Sequence, residues 1–217
     1  MIDAIQIKVC GLTSLVDADF ADACGADFLG FILHPKSPRH VSIAQYRSMS
    51  GRLPERIKVA VCVEPDRDAL GSMRDAGFDR FQVHFRHDTA PGRIGEWSEA
   101  VGLGNLWLAP KLPPGADVPQ EWLNFSKCVL FDTFDPSLFG GTGRTGDWPK
   151  FRRHRESHPG VTWILSGGLA PENVGQALGE TGARFLDVNS GVESAPGIKD
   201  HSRLKAFAAA VRAAARR

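Results

Sequence analysis

Cys10 and Asp132 each stand where an apolar, β-rich run gives way to a turn. Cys10 closes the run Ile5 to Cys10 and is followed by Gly11, and Asp132 closes Cys128-Val-Leu-Phe131 and precedes a glycine-rich stretch. Runs of this length and composition have the character of buried parallel strands, so a charged or reactive group at the carboxyl end faces a site. A thiolate can take a proton from carbon, and a neutral carboxylic acid can give one to a departing oxygen; together they suit acid–base chemistry on a small substrate. An unperturbed thiol has a pKa of about 8.5, so a base role at neutral pH needs cations nearby. Lys8, Lys36 and Arg39 are the candidates. Plainer readings stand beside these: a free cysteine is commonly a small buried hydrophobe, which suits Cys24, Cys62 and Cys128 better than Cys10, and Asp132 can pair with a cation such as Lys111.

Other groups point to an anionic ligand. Gly140-Gly-Thr-Gly143-Arg-Thr145 places Gly141 and Gly143 beside an arginine, and Ser166-Gly-Gly168 and Asn189-Ser-Gly191 follow two further apolar runs. Glycines permit positive φ and let backbone amides approach an anion, here read as a phosphate monoester; the alternative is that they only make sharp turns. Arg39 and Lys36, in a Ser/Pro-rich loop, suit a substrate carboxylate or are solvated loop charges. His84 ends another run and either orients substrate or is a satisfied core imidazole. No His/Cys/Asp cluster has metal-ligand spacing, so no metal is expected.

The elements that must position these groups recur as strand, turn, helix and stop. Strands are expected at Ile5 to Cys10, Asp27 to Leu33, Lys58 to Val63, Arg80 to His84, Asn105 to Lys111, Cys128 to Phe131, Val161 to Leu165 and Arg184 to Val188. Helices are expected at Leu15 to Cys24 with Gly25 as stop, Ser42 to Met49, Pro65 to Ala76, Pro91 to Ala100, Asp147 to His158, Pro171 to Glu180 and His201 to Arg217. After Lys111 the prolines of the 112–119 stretch forbid a helix, so the fifth is shortened to Gln120 to Phe125 or lost. Eight such units at a spacing of about 27 residues argue for a single (β/α)8 barrel over residues 1–217, with a doubly wound sheet as runner-up. In a barrel, every residue named above as ending a strand meets on one face.

With 217 residues, 42% of them hydrophobic, one full core can be buried. A formal net charge of +1 offers no electrostatic footprint for nucleic acid or an acidic membrane. The four cysteines form no C-x-x-C pair, and the first residues carry an acid at Asp3 and no apolar stretch, so a reduced, cytoplasmic protein is expected.

Taken in order, the motifs Lys8-Val-Cys-Gly-Leu-Thr13, Gly25-Ala-Asp-Phe-Leu-Gly-Phe31, Pro35-Lys-Ser-Pro-Arg39, Phe131-Asp-Thr133, Gly140 to Thr145, Ser166 to Val174 and Asp187-Val-Asn-Ser-Gly-Val-Glu193 closely resemble the phosphoribosylanthranilate isomerase family. The resemblance covers Ile7 to about Phe207. It implies a (β/α)8 barrel that performs an Amadori rearrangement without cofactor, in tryptophan biosynthesis, on a phosphorylated aminosugar, as a monomer or homodimer. It implies further that Asp132 is the general acid opening the furanose ring, Cys10 the general base at C2, and Arg39 the holder of the anthranilate carboxylate. Gly167, Gly168, Ser190 and Gly191 would hold the phosphate, and Gly140 to Thr145 would fold over the substrate. The chain departs from the family pattern at Phe85, where a glycine is usual and a bulky side chain is expected to reshape the following loop, at Arg144 and Asn189, and in the Pro-rich 109–119 stretch. Other sugar-phosphate barrels, or a silent phosphate-binding barrel, are the alternatives.

Overall fold

Parallel pairing runs unbroken around the chain: β1 (Gln6–Val9), β2 (Phe28–Ile32), β3 (Ile57–Val63), β4 (Arg80–Arg86), β5 (Leu106–Lys111), β6 (Cys128–Phe131), β7 (Thr162–Leu165) and β8 (Phe185–Val188) pair in sequence order, and β8 returns to β1. The computed structural model describes residues 2–113, 115–132 and 147–216. Closure leaves no sheet edge, and the side-chain period of two splits each strand between two cores. The inward set, including Cys10, Phe28, Val61, Trp107, Leu130, Ile164 and Phe185, packs within the barrel, whereas Val9, Leu29, Val83, Leu108 and Val129 pack outward under the helices. Phe28 stacks on Phe185 at 4.7 Å and meets Trp107 edge-on at 5.2 Å, filling the interior with aromatic surface.

The outer layer consists of α1 (Leu15–Cys24), α2 (Ile43–Ser50), α3 (Arg67–Asp75), α4 (Pro91–Val101), α5 (Trp148–Ser157), α6 (Val174–Thr181) and α7 (His201–Ala215). Their bounds follow local chemistry. Ser14 caps α1 by accepting from the Asp17 amide and Gly25 ends it at φ 99°, while Ser42 and Gln45 form a reciprocal capping box on α2. In α7 the buried Leu204, Phe207, Ala208 and Val211 recur at helical spacing and form its core-facing stripe. Truncating the fully buried Phe207 to alanine would cost about 3–5 kcal/mol.

Between β5 and β6 a single 3-10 turn, Gln120–Asn124, replaces the helix, as the prolines require. The vacated space is filled by aromatics: the fully buried Phe85 lies 5.1 Å from Trp122 and 5.5 Å from Trp97. Phe85 points outward, and β4 continues through it to Arg86, two residues beyond the expected end at His84. Two other expectations need correction. Asn173 accepts from the Ala170 amide (2.9 Å) and donates to the Gly168 carbonyl (2.8 Å), which holds Pro171 to Asn173 as a turn and delays α6 to Val174. The segment after β8, expected as a simple turn, forms a 3-10 turn (Ser190–Val192) and a small antiparallel hairpin, β9 (Glu193–Ala195) with β10 (Ile198–Lys199). The stretch Gly140 to Thr145, with Gly141 and Gly143, lies outside the described residues. Among those described, no helix is long and apolar enough to cross a membrane, and all four cysteines are free thiols.

Candidate active site

The carboxyl ends of the strands surround an open cleft whose walls include Cys10, Arg39, His84 and Asp132, together with Gln82, Ser166, Asp187 and Asn189. Strand parity explains the set: Lys8 and Cys10 share one face of β1, Gln82 and His84 one face of β4, and Asp187 and Asn189 one face of β8 and its end. Lys8 pairs in register with Asp187 across β1 and β8, which places its Nζ 2.8 Å from Asp187 Oδ1. Both are buried, and the Ser166 hydroxyl donates to the second Asp187 oxygen at 3.3 Å. Gly30 of β2 makes room for this group, since a Cβ there would lie 2.9 Å from Lys8 Cε and 3.2 Å from Cys10 Sγ.

Cys10 is both buried and at the cleft wall, so the sequence alternatives of reactive thiol and buried hydrophobe meet in one residue. Burial pushes its pKa up; Lys8, by charge and hydrogen bond, and Lys199 pull it down without winning, and Asp187 adds to the upward push. The resting group is therefore a thiol. Burial pulls Lys8 down, but Asp187 and Cys10 outweigh it and hold the lysine charged. The expected cations are thus corrected: Lys8 is present, whereas Lys36 is exposed on the loop and Arg39 is tied elsewhere. Lys199, which the sequence reading missed, takes their place. Its only sequence signal is its position just before the Asp200 cap of α7. Cys62 borders the cleft but donates to the Gln82 carbonyl at 3.7 Å, and burial pushes its thiol up to about 12. Burial also raises Cys128 and, together with it, the half-buried Cys24.

His84 lines the cleft with its ring largely withdrawn from solvent, so the two alternatives, a substrate-orienting group and a satisfied imidazole, meet in one residue. Its Nε2 lies 2.8 Å from the Gln82 carboxamide nitrogen, and burial, with the charges of Lys8 and His34, pulls its pKa down to about 3. It presents a neutral imidazole to the cleft, and the side-chain oxygen Oε1 of Gln82 is buried without a hydrogen-bond partner. Arg39 is carried by a loop that returns to β2 through a bridge between Ile32 and His40. Its guanidinium is gripped by Glu193, with Nε 3.0 Å from both carboxylate oxygens and Nη2 2.7 Å from one.

The glycine turns after β7 and β8 lie against each other. Gly167 and Gly168 have φ of 87° and 63°, conformations that side chains disfavour. A Cβ on Gly191 would fall 1.9 Å from the Leu169 carbonyl oxygen, so the two turns can touch only through glycine. Ser190 heads the 3-10 turn, whose first amides find no partner within the turn itself. No group of three or more His, Cys, Asp or Glu among the described residues could hold a metal ion.

A closed parallel barrel with a carboxyl group, a thiol and paired glycine turns gathered at its carboxyl face has the architecture of the (β/α)8 enzymes. Residues 7–210 match the family description N-(5'-phosphoribosyl)anthranilate (PRA) isomerase. The chain is 35% identical over 213 residues to such an isomerase from Zymomonas mobilis, covering 96% of this chain and 99% of that one, and 38% identical over 212 residues to one from Syntrophus aciditrophicus, covering 95% and 87%. The crystal structure of the phosphoribosyl anthranilate isomerase from Thermus thermophilus superposes with a TM-score of 0.77 at 31% identity, covering 96% of this chain and 99% of that one. Another, at 29% identity and a TM-score of 0.74, was solved in complex with reduced 1-(o-carboxyphenylamino)-1-deoxyribulose 5-phosphate, covering 96% and 99%. The chain belongs to the N-(5'-phosphoribosyl)anthranilate isomerase family, the enzymes of tryptophan biosynthesis that its motifs resemble.

Proposed function

We propose that the protein converts N-(5-phosphoribosyl)anthranilate to 1-(2-carboxyphenylamino)-1-deoxyribulose 5-phosphate, with Asp132 as general acid and Cys10 as general base. In the reactive form the proton that rests on the Cys10 thiol has passed to Asp132, which gives it to the furanose oxygen as the C1–O bond breaks while the nitrogen lone pair forms a C1=N iminium. The Cys10 thiolate then takes the C2 proton, and the freed electron pair forms C1=C2 and neutralises the nitrogen. The enaminol becomes the ketone as C1 gains a proton from Cys10 and the C2 hydroxyl returns one to Asp132. Protons and electrons balance, so neither oxidant nor cofactor takes part.

Arg39 holds the anthranilate carboxylate, His84 borders the substrate as a neutral hydrogen-bonding group, and the turns of Gly167, Gly168, Ser190 and Gly191 hold the phosphate. For Gly141 and Gly143 the support is the resemblance alone. The observation that carries this reading is that Cys10 and Asp132, at the ends of β1 and β6, three strands apart around the closed barrel, border one cleft together with Arg39. A barrel that only binds would need the glycine turns and the arginine, but no acid and thiol facing the same space. Residues 1–217 act as one catalytic unit, and the four free thiols support a cytoplasmic setting. A Thermotoga maritima relative is described as dimeric; sedimentation decides between monomer and homodimer here.

The test follows the fluorescence of the anthranilate adduct as enzyme is added. Cys10→Ser and Asp132→Asn should each lower turnover by about 10²–10⁴-fold, with affinity for the reduced product analogue kept within a few-fold. Wild-type turnover in Cys10→Ser would remove the thiol from the mechanism.

A further inference from the structure

Arg39 is the site's designated anion holder, yet one edge of its guanidinium is already occupied. Glu193 grips Nε and Nη2 side-on with contacts of 3.0, 3.0 and 2.7 Å, and it is itself buried, with 4% of its side chain exposed. On the far side of Glu193, Lys199 Nζ lies 2.9 Å from Oε1 with its side chain wholly buried, and the Gly197 amide donates to the same oxygen at 3.3 Å. Lys199 continues the chain of contacts to Asn189, donating to its side-chain oxygen at 3.0 Å and to its carbonyl at 3.3 Å. Arg39 and Asn189 border the cleft; Glu193 and Lys199 stand behind them. Gly11 makes the crossing possible, since a Cβ there would lie 2.5 Å from Asn189 Oδ1 and 2.9 Å from Arg39 Cδ.

Formal charges show what the third member adds. Arg39 and Glu193 alone sum to zero, and an arginine already neutralised by a buried carboxylate has little left for a ligand. Lys199 restores a net charge of one. Side-on capture of Nε and Nη2 also leaves Nη1 and the second Nη2 hydrogen as the edge that can meet a carboxylate end-on with two parallel hydrogen bonds. We propose that Glu193 and Lys199 are positioning residues: Glu193 fixes the guanidinium, and Lys199 offsets Glu193 so that the end-on edge of Arg39 stays available to the substrate's carboxylate. This rests on the assignment of Arg39 made above.

Calorimetric titration with two ligands tests it: the reduced product analogue and its counterpart lacking the ring carboxylate. The quantity read is the ratio of their Kd values, the carboxylate preference, with melting curves recorded for every variant. Lys199→Gln should lower the preference by about tenfold or more, because the cluster's net charge falls to zero. Glu193→Gln should also lower it, since the guanidinium must then be ordered on binding. The double variant Glu193→Gln/Lys199→Gln, with its net charge back at one and an unbroken amide chain to Asn189, should recover to within about threefold of Glu193→Gln or better, and should exceed Lys199→Gln. Lys199→Arg keeps the charge and should keep the preference, which decides the matter if Lys199→Gln does not fold. A preference unchanged in Lys199→Gln, a double variant no better than Lys199→Gln, or equal loss of both ligands in every variant would overturn the proposal while leaving Arg39 its role. Wild-type protein that binds both ligands equally would overturn the Arg39 assignment itself.

Discussion

Replacing Lys8 with methionine probes the charge arrangement beneath the reactive thiol. Lys8 and Asp187 are buried and 2.8 Å apart. At an effective dielectric constant of about 20 their attraction is roughly 6 kcal/mol, and removing one member of such a pair leaves a buried carboxylate unpaired at a net cost of about 3–5 kcal/mol. That is a large part of the roughly 5–15 kcal/mol that separates folded from unfolded protein, but not all of it. With 217 residues and an unfolding entropy of about 2.1 cal/mol/K per residue, each kcal/mol is worth about 2 °C, so the melting temperature should fall by about 7–11 °C. Calorimetry reads this directly. A second assay follows alkylation of Cys10 against pH in a Cys24→Ala background, so that the half-buried thiol does not contribute. Lys8 is the strongest influence pulling the Cys10 pKa down, so its loss must move the alkylation midpoint upward and slow the reaction at fixed pH. Lys8→Met/Asp187→Leu, which removes both charges, should regain most of the lost stability, because replacing a whole buried pair is close to neutral. A melting point within about 2 °C of wild type for the single variant, or a double variant no more stable than the single, would refute this account.

Two further predictions read other parts of the site. Gly191→Ala must displace the Leu169 carbonyl from a Cβ 1.9 Å away, so affinity for the reduced product analogue should fall at least about tenfold with far-UV circular dichroism unchanged; undiminished affinity would detach the glycine contact from phosphate binding. Turnover needs Cys10 deprotonated and Asp132 protonated, one proton on the pair, so kcat/KM should be flat between the pair's two apparent pKa values and fall on both sides. Because burial raises Cys10 above the ordinary thiol value of about 8.5, the alkaline limb should lie on the alkaline side of that value, and a limb below pH 8 would contradict a buried, raised thiol.

Features written in neighbouring residues were legible. The span Leu15–Cys24 follows from the Ser14 cap and Gly25 stop, and Cys128–Phe131 from an apolar run closed by Asp132, because caps and strand ends are local events. The eightfold repeat then gave closure, and closure brought Cys10, Arg39, His84 and Asp132 to one cleft. What escaped was partnership across the closure. Lys8 and Asp187 are 179 positions apart and Arg39 and Glu193 are 154 apart, and nothing in either local pattern marks the other. For the same reason Lys36, near Arg39 in sequence, stands among the expected cations while Lys199, which reaches the site only by way of a hairpin formed after β8, does not. The packing of Phe85 depends on parity: one position earlier it would have faced the cleft, whereas it faces Trp97 and Trp122.

The distribution of charge suggests why the thiol rests protonated. Lys8 closes on Asp187 and Lys199 on Glu193, so four buried charges cancel in pairs and Arg39 alone carries net charge to the cleft wall. A thiolate standing in the free enzyme would oppose both the carboxylate and the phosphate of the proposed substrate, and burial already disfavours it. Ring opening changes the balance, because it creates a cationic iminium at C1, one bond from the proton that Cys10 must take. The positive charge that stabilises the thiolate and acidifies C2–H therefore appears in the substrate only after Asp132 has acted. Lys8, held charged below the sulfur, completes that stabilisation without having to move. The protein thus favours the ionised pair where the barrier lies rather than in the free enzyme, which is the difference in binding that accelerates a reaction.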